Sequence, residues 1–154
     1  MSEAINTGPC FNSFFDNVVD EKRRVQIPSN WRKGLNGEVE FMLLLWPNGS
    51  QKDACLMVLP PAAADRLRQR ITSMPFGDSQ AEALRRILGR KSHMVACDKA
   101  GRITIPEHMA TVVGVQSKAI LVGMFDRFQI WSPERFEAIT EGDDALAQEA
   151  FKLI

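Results

Sequence analysis

Two Asp-x-x-x-Arg pairs are the residues of this chain whose types and spacing are best suited to chemistry. Val19-Asp20-Glu21-Lys22-Arg23-Arg24-Val25-Gln26-Ile27-Pro28 returns as Cys97-Asp98-Lys99-Ala100-Gly101-Arg102-Ile103-Thr104-Ile105-Pro106, so Asp, Arg, Ile and Pro recur at a constant offset of 78 residues. That is an internal repeat. The chemistry open to it is ionic. Lys22, Arg23, Arg24, Lys99 and Arg102 can neutralise phosphates, and an arginine can also pair with a guanine edge in a major groove, which admits a two-stranded ribbon. A carboxylate facing phosphate would repel it, so Asp20 and Asp98 are read as orienting their Arg partners or shaping the turn. The competing reading makes Asp20–Arg24 and Asp98–Arg102 structural or inter-subunit ion pairs.

Other reactive groupings are thin. His93, Cys97 and Asp98 hint at a nucleophile with its base, but such a site needs the thiol held by that base in an assembled pocket. His93 and Cys97 fall four apart on an expected strand, beyond direct contact, and Cys97 matches Val19 in the other copy, so it is read as a small core residue. His108 has no metal-ligand companions. Cys10, Cys55 and Cys97 are odd in number and lack metal-like spacing, which leaves reduced thiols. No phosphate-binding loop, metal cluster or triad is present, so the chain is read as a non-enzyme without cofactor or small-molecule substrate.

Each pair needs a turn and a strand to position it. Asp followed by polar or small residues suits a tight turn, because the carboxylate accepts from backbone N–H groups further round it and Gly101 can take a positive φ. Arg24–Ile27 and Arg102–Ile105 then alternate, burying Val25 and Ile27, or Ile103 and Ile105, and turning the arginines outward. Pro28 and Pro106 suit the opening of short helices that stop near Gly34 and Gly114. Apolar runs at Glu38–Leu45 and Lys118–Phe125 read as buried strands. Leu56–Leu59 and Phe128–Trp131 close each half, running into helices at Pro60-Pro61 and Ser132-Pro133. Leu59 and Trp131 are 72 apart, the offset having fallen because Trp46–Asp53 adds residues, read as an enlarged hairpin loop around Pro47-Asn48-Gly49. Helices are expected at Ala62–Ser73, Gln80–Leu88, Pro133–Thr140 and Asp143–Leu153, with a joint at Met74–Asp78.

With 154 residues and 45% hydrophobic content the chain can bury a core. No apolar run reaches the ~20 residues of a membrane helix. The start, Met1–Thr7, lacks the pattern of a secretion signal, so a cytoplasmic protein is expected. Net charge is zero, yet residues 20–102 carry 15 Lys and Arg against 9 Asp and Glu, whereas residues 103–154 carry 4 against 8. The positive field is thus concentrated where both turns lie. A second basic set, Arg66, Arg68, Arg70, Arg85, Arg86, Arg90 and Lys91, sits on helices with an apolar stripe. It is read as a solvated face or a subunit interface before a phosphate shelf. Phe11, Phe14, Phe15, Trp31, Trp46 and Trp131 are read as packing residues.

The doubled Asp-x-x-x-Arg, each copy with its strand and Ile-Pro, resembles the MraZ family of bacterial transcriptional regulators, whose chains hold two SpoVT–AbrB-type modules. The resemblance runs from about Phe11 to Ile139 and includes Val122–Ser132 with its Ile130-Trp131-Ser132 ending. That family favours Gly just before the motif Arg. Gly101 keeps it, but Arg23 replaces it in the first copy, where a left-handed backbone would cost about 1 kcal/mol unless the turn takes another geometry. The resemblance implies an α+β, mainly β chain forming a double-split β-barrel, with modules at residues 11–76 and 93–140, a helical connection at 77–92 and a C-terminal helix at 141–154. It further implies a homo-oligomeric ring on repeated elements of double-stranded DNA, associated with the nucleoid, typically at the promoter of the division and cell wall gene cluster. An antitoxin-like regulator on the same barrel would need a toxin-binding tail, for which Asp143–Ile154 is short. An oligomeric protein-binding scaffold, using the basic surface for assembly alone, is the alternative from another class.

Overall fold

Alternating strands and strong turn residues set the order of elements. The computed structural model describes residues 9–35 and 39–154. The first half runs β1 (Phe14–Val18), β2 (Arg24–Gln26), α1 (Ser29–Arg32), β3 (Glu40–Asn48), β4 (Gln51–Leu59), α2 (Pro61–Thr72) and α3 (Ser79–Arg90). The second runs β5 (Ser92–Ala96), β6 (Arg102–Thr104), α4 (Glu107–Val113), β7 (Lys118–Gly123), β8 (Phe128–Trp131) and α5 (Pro133–Ala150), with a 3₁₀ turn at Phe151–Leu153.

Six strands form one antiparallel sheet in the order β1-β7-β8-β4-β3-β5, and β2 pairs with β6 as a separate ribbon. The two halves are interleaved rather than side by side. β1 pairs with β7 and β5 with β3, and the 78-residue repeat survives in the register: Phe14 faces Val122 where Ser92 faces Leu44. In the ribbon Arg24 faces Thr104, Val25 faces Ile103 and Gln26 faces Arg102. Exchanging the halves therefore maps the ribbon onto itself, with a pseudo-twofold axis between Val25 and Ile103. The β4–β8 pairing repeats this relation about Met57 and Gln129. The result is an α+β fold with a β core. Among the described residues the strands do not close on themselves, since β1 and β5 remain edges of the sheet.

The ribbon covers one face of the sheet. Val25, Ile27, Ile103 and Ile105 are buried in one cluster with Leu43, Leu45, Leu56, Val58, Leu121 and Ile130. Trp31 of α1 lies in the same cluster and donates its indole N–H to the carbonyl of Asn12 (2.8 Å). On the opposite face α2 covers Leu44, Met57 and Leu59, while Phe136 and Ile139 of α5 cover Cys55, Ile120 and Trp131. Covered on both faces, the end of β4 is one unbroken buried run from Ala54 to Leu59. Each large side chain there contributes about 1.5–3 kcal/mol relative to exposure.

Three expectations change. The two C-terminal helices are one, because Gly142 costs only about 1 kcal/mol inside a helix and the hydroxyl of Ser132 caps its start by accepting from the Arg135 N–H (3.2 Å). Trp46–Asp53 is not a loop: both strands extend until Asn48 faces Gln51, with an irregularity between Trp46 and Asn48 and Gly49 at φ +56° in the turn. Finally, α1 is a single turn that ends before Gly34, whereas Gly114 does cap α4, at φ +78°. Of the expected strand Glu38–Leu45, Glu38 lies outside the described residues, as does the Met1–Thr7 segment read for a secretion signal.

Candidate nucleic-acid interface

Both Asp-x-x-x-Arg turns are built the same way. One oxygen of Asp20 accepts from the backbone N–H groups of Lys22 (2.9 Å) and Arg24 (2.8 Å), and the other accepts from Arg24 Nε (2.6 Å). In the second copy Asp98 accepts from the N–H groups of Ala100 and Arg102 (both 2.9 Å) and from Arg102 Nε (3.0 Å). The backbone N–H of Arg102 holds the Asp98 carboxyl below its ordinary range, and that of Arg24 does the same for Asp20, with the Arg side chains adding to both. Each carboxylate thus spends its charge on its own turn. Only Nε of each arginine is used, so the terminal nitrogens stay free among the described residues, on side chains 30% and 35% exposed.

Arg23 stands at φ +61° and Gly101 at φ +83°, so the first turn keeps the geometry of the second despite carrying a side chain. Its guanidinium explains the tolerance: Arg23 Nε donates to the carbonyl of Ile105 (3.1 Å). The symmetry-related carbonyl, Ile27, has no such donor in the opposite turn, because that position is glycine. Arg32 supplies it instead, with Nε at 3.2 Å, and its guanidinium occupies the space where a Cβ on residue 101 would fall, 2.6 Å away. One arginine caps each strand end, both from the first half, drawn from the turn in one case and from α1 in the other. Arg23 is therefore partly committed to structure. Arg32 was not among the residues singled out by sequence: its carbonyl partner Ile27 is near in the chain, but the space that it fills beside Gly101 lies across the ribbon.

The structure brings the two turns to the two ends of one ribbon, on either side of the pseudo-twofold axis. Arg24 and Arg102 are two residues apart along it, about 7 Å. The alternation that buries Val25 and Ile103 turns Arg24, Gln26, Arg102 and Thr104 to the outer face, with Gln26 and Thr104 exposed. Gln26, overlooked in the sequence although alternation places it, donates from Nε2 to the carbonyl of Ala100 (2.8 Å) and so ties one strand to the opposite turn. Lys22 and Lys99 are exposed at the turn tips, with no side-chain partner among the described residues.

The second basic set lies on the other face of the sheet and is largely occupied. Arg66 meets Asp126 (2.8 Å), Arg68 meets Asp65 (2.6 Å), Arg86 meets Glu82 (3.9 Å) and Lys91 meets Asp53 (2.6 Å). Arg85 donates to the carbonyl of Met74 and sits 5.5 Å from the Phe76 ring centroid. It cannot form one surface with the turns. His93 is exposed on β5 while Cys97 is buried at the position matched by buried Val19, as a core residue should be. Burial raises the Cys97 thiol and pushes that of Cys55 up to about 12, which keeps both protonated. Phe11, Trp31 and Trp131 are buried; Phe14, at 58% exposure, is not. No group of His, Cys, Asp and Glu placed to hold a metal occurs among the described residues, and no described helix is long and apolar enough to cross a membrane.

Residues 90–152 match the family model described as "MraZ protein, putative antitoxin-like". A protein of Caulobacter vibrioides named "Transcriptional regulator MraZ" is 37% identical over 140 residues, covering 90% of this chain and 87% of the relative. Proteins of the same name from Roseiflexus sp. (29% identity; 86% and 88% covered) and Rickettsia canadensis (27%; 90% and 92%) align over similar spans. With a relative this similar along nearly its whole length, and both Asp-x-x-x-Arg turns intact on one ribbon, the chain belongs to the MraZ family.

Proposed function

We propose that this chain is a sequence-specific, DNA-binding transcriptional regulator that acts as a homo-oligomer on repeated promoter elements. The carrying observation is that two Asp-locked arginines present free guanidinium edges on one exposed two-stranded ribbon. Such a ribbon fits a major groove, where Arg24 and Arg102 can reach guanine edges while Lys22 and Lys99 meet phosphates on either side. Arg23 contributes field more than contact, because its side chain already serves the Ile105 carbonyl. Asp20 and Asp98 orient their arginines.

Two SpoVT–AbrB-type modules, residues 11–76 and 93–140, related as the halves of a double-split barrel, are the reading that best fits the interleaved strands and pseudo-twofold ribbon. The family names of the relatives favour regulation of transcription over a protein-binding scaffold. We take the target to be the division and cell wall gene cluster, the protein acting in the cytoplasm at the nucleoid.

The test is a titration of promoter DNA upstream of the protein's own gene, against scrambled duplex, at several salt concentrations. Arg24→Ala and Arg102→Ala should each weaken specific binding by about 1–3 kcal/mol, and Lys22→Ala or Lys99→Ala should weaken binding to any sequence and lower the salt slope by about one. Folded, fully assembled arginine variants with unchanged affinity would favour the scaffold.

A further inference from the structure

We propose that α5 beyond Gly142 is a docking arm, and that it seats in the groove between α2 and α3 of a second copy of this chain. The inference rests on the homo-oligomer reading above and assigns its contact surfaces. Along α5 and the turn that follows, Phe136, Ile139, Asp143, Leu146, Ala150 and Leu153 recur at spacings of three and four, which makes one continuous stripe. Its first two members pack on the sheet beside Trp131. From Leu146 on the stripe is open: Leu146 is 64% exposed and Leu153 86%, with Phe151 at 71% beside them. Apolar side chains at this spacing on a projecting helix are an unpartnered face.

The groove between α2 and α3 is complementary in shape and charge. Met42, Leu44, Leu67, Ile71 and Leu88 line a cleft of about 180 Å³ that no residue of α5 enters, with Arg68 and Arg85 also in its wall. α2 and α3 carry three arginines each against Asp65 and Glu82, while the arm beyond Gly142 carries Asp143, Asp144 and Glu149 against Lys152, which pairs with Glu149. Arg70 and Arg90 have no ion-pair partner among the described residues, and neither have Asp143 and Asp144. Parallel pairing of two arms would set Asp143 against its own copy inside the stripe, a like-charge contact that the arginine-walled groove avoids. Arm into groove is a contact between unlike surfaces, which gives a ring when the rotation closes.

The experiment uses the full chain with Cys10→Ser, leaving the buried Cys55 and Cys97 in place. Ile71→Cys and Phe151→Cys are introduced singly and together, oxidised, and run without reductant, while Phe151→Ala/Leu153→Ala is weighed by light scattering. The expected result is a ladder of linked oligomers from the double cysteine variant, none from either single, and assembly of the alanine variant only at concentrations at least about tenfold higher than normal. Dimers from Phe151→Cys alone would mean that arms pair with arms and would overturn the proposal. An uncrosslinked but fully assembled double variant, or an alanine variant that assembles normally, would overturn it while leaving the oligomer reading standing. A chain that is monomeric before any substitution would remove both.

Discussion

Each turn divides the work of one carboxylate, one oxygen closing the backbone and the other holding an arginine, and that division has a pH signature. Asp20 and Asp98 are held below the ordinary carboxylate range chiefly by backbone N–H groups, and Asp126 is lowered to about 2, chiefly by hydrogen bonds from the Arg127 side chain. A carboxyl lowered on folding stabilises the protein above its unfolded value, near 4, and loses that contribution as pH falls through the folded one. Acid unfolding of the native chain followed by circular dichroism should therefore be steeper below about pH 4 than that of Asp20→Asn/Asp98→Asn; superimposable curves would mean that the turns store no such contribution. The reciprocal arginines give a second test. Gly101→Arg alone forces a side chain into the Arg32 guanidinium, whereas in an Arg32→Ala background it has room to supply the missing cap. The two changes should be non-additive by about 1 kcal/mol in urea unfolding, the double variant being more stable than the sum predicts. The left-handed position of Arg23 was open to anticipation from the repeat, as the place where Gly101 had been exchanged. The role of Arg32 was not, because it depends on a contact that only the folded ribbon creates.

At the scale of elements, the ribbon makes the two turns one unit. The backbone N–H of Ile27 bonds to the Gly101 carbonyl and that of Ile105 to the Arg23 carbonyl, both at 2.9 Å, so each strand end is fastened to the opposite turn. Amide exchange of Ile27 and Ile105 should therefore be protected to the same degree. Ile103→Ala, which removes buried volume on the pseudo-twofold axis, should destabilise the fold by about 2–5 kcal/mol and lower both protections together. Exchange that responds at one end only would mean that the turns open independently. The strands of this ribbon were legible because alternation and turn chemistry are local, and Gly114 marked the end of α4 for the same reason. Elements governed by what lies beyond them were harder to read. Gly142 and the acidic stretch around it look like a break between helices, yet no packed neighbour or proline forces one, so α5 runs through. Pro47-Asn48-Gly49 carries turn chemistry, but only Gly49 sits in the turn. Pairing against β4 extends through the rest, and the bulge beside Trp46 absorbs the irregularity. Interleaving of β1 with β7 and β5 with β3 leaves no trace in spacing at all, since either half could have paired within itself with the same pattern.

The whole molecule has no net charge, so its attraction to DNA has to come from where charge is placed and how many copies act together. The ribbon offers two arginines with free edges and two exposed lysines, while three of the six helical arginines behind the sheet are held in ion pairs. So few cations per subunit predict weak binding to a single element. Useful affinity then requires that several subunits, held in one assembly, engage several elements, each later contact being intramolecular at an effective concentration set by the assembly. Scrambling all but one element in a duplex of fixed length should lower affinity by orders of magnitude. Log affinity on the intact duplex should fall linearly with log salt at a slope near −0.9 per phosphate contacted, and the slope should shrink when only one element remains. A variant that no longer assembles should bind one-element and multi-element duplexes alike, with the weak affinity of the single contact. Equal affinity of the native assembly for one and several elements would rule out this mechanism even with DNA binding established, because the ribbon alone would then carry an interaction that its four cations are too few to supply.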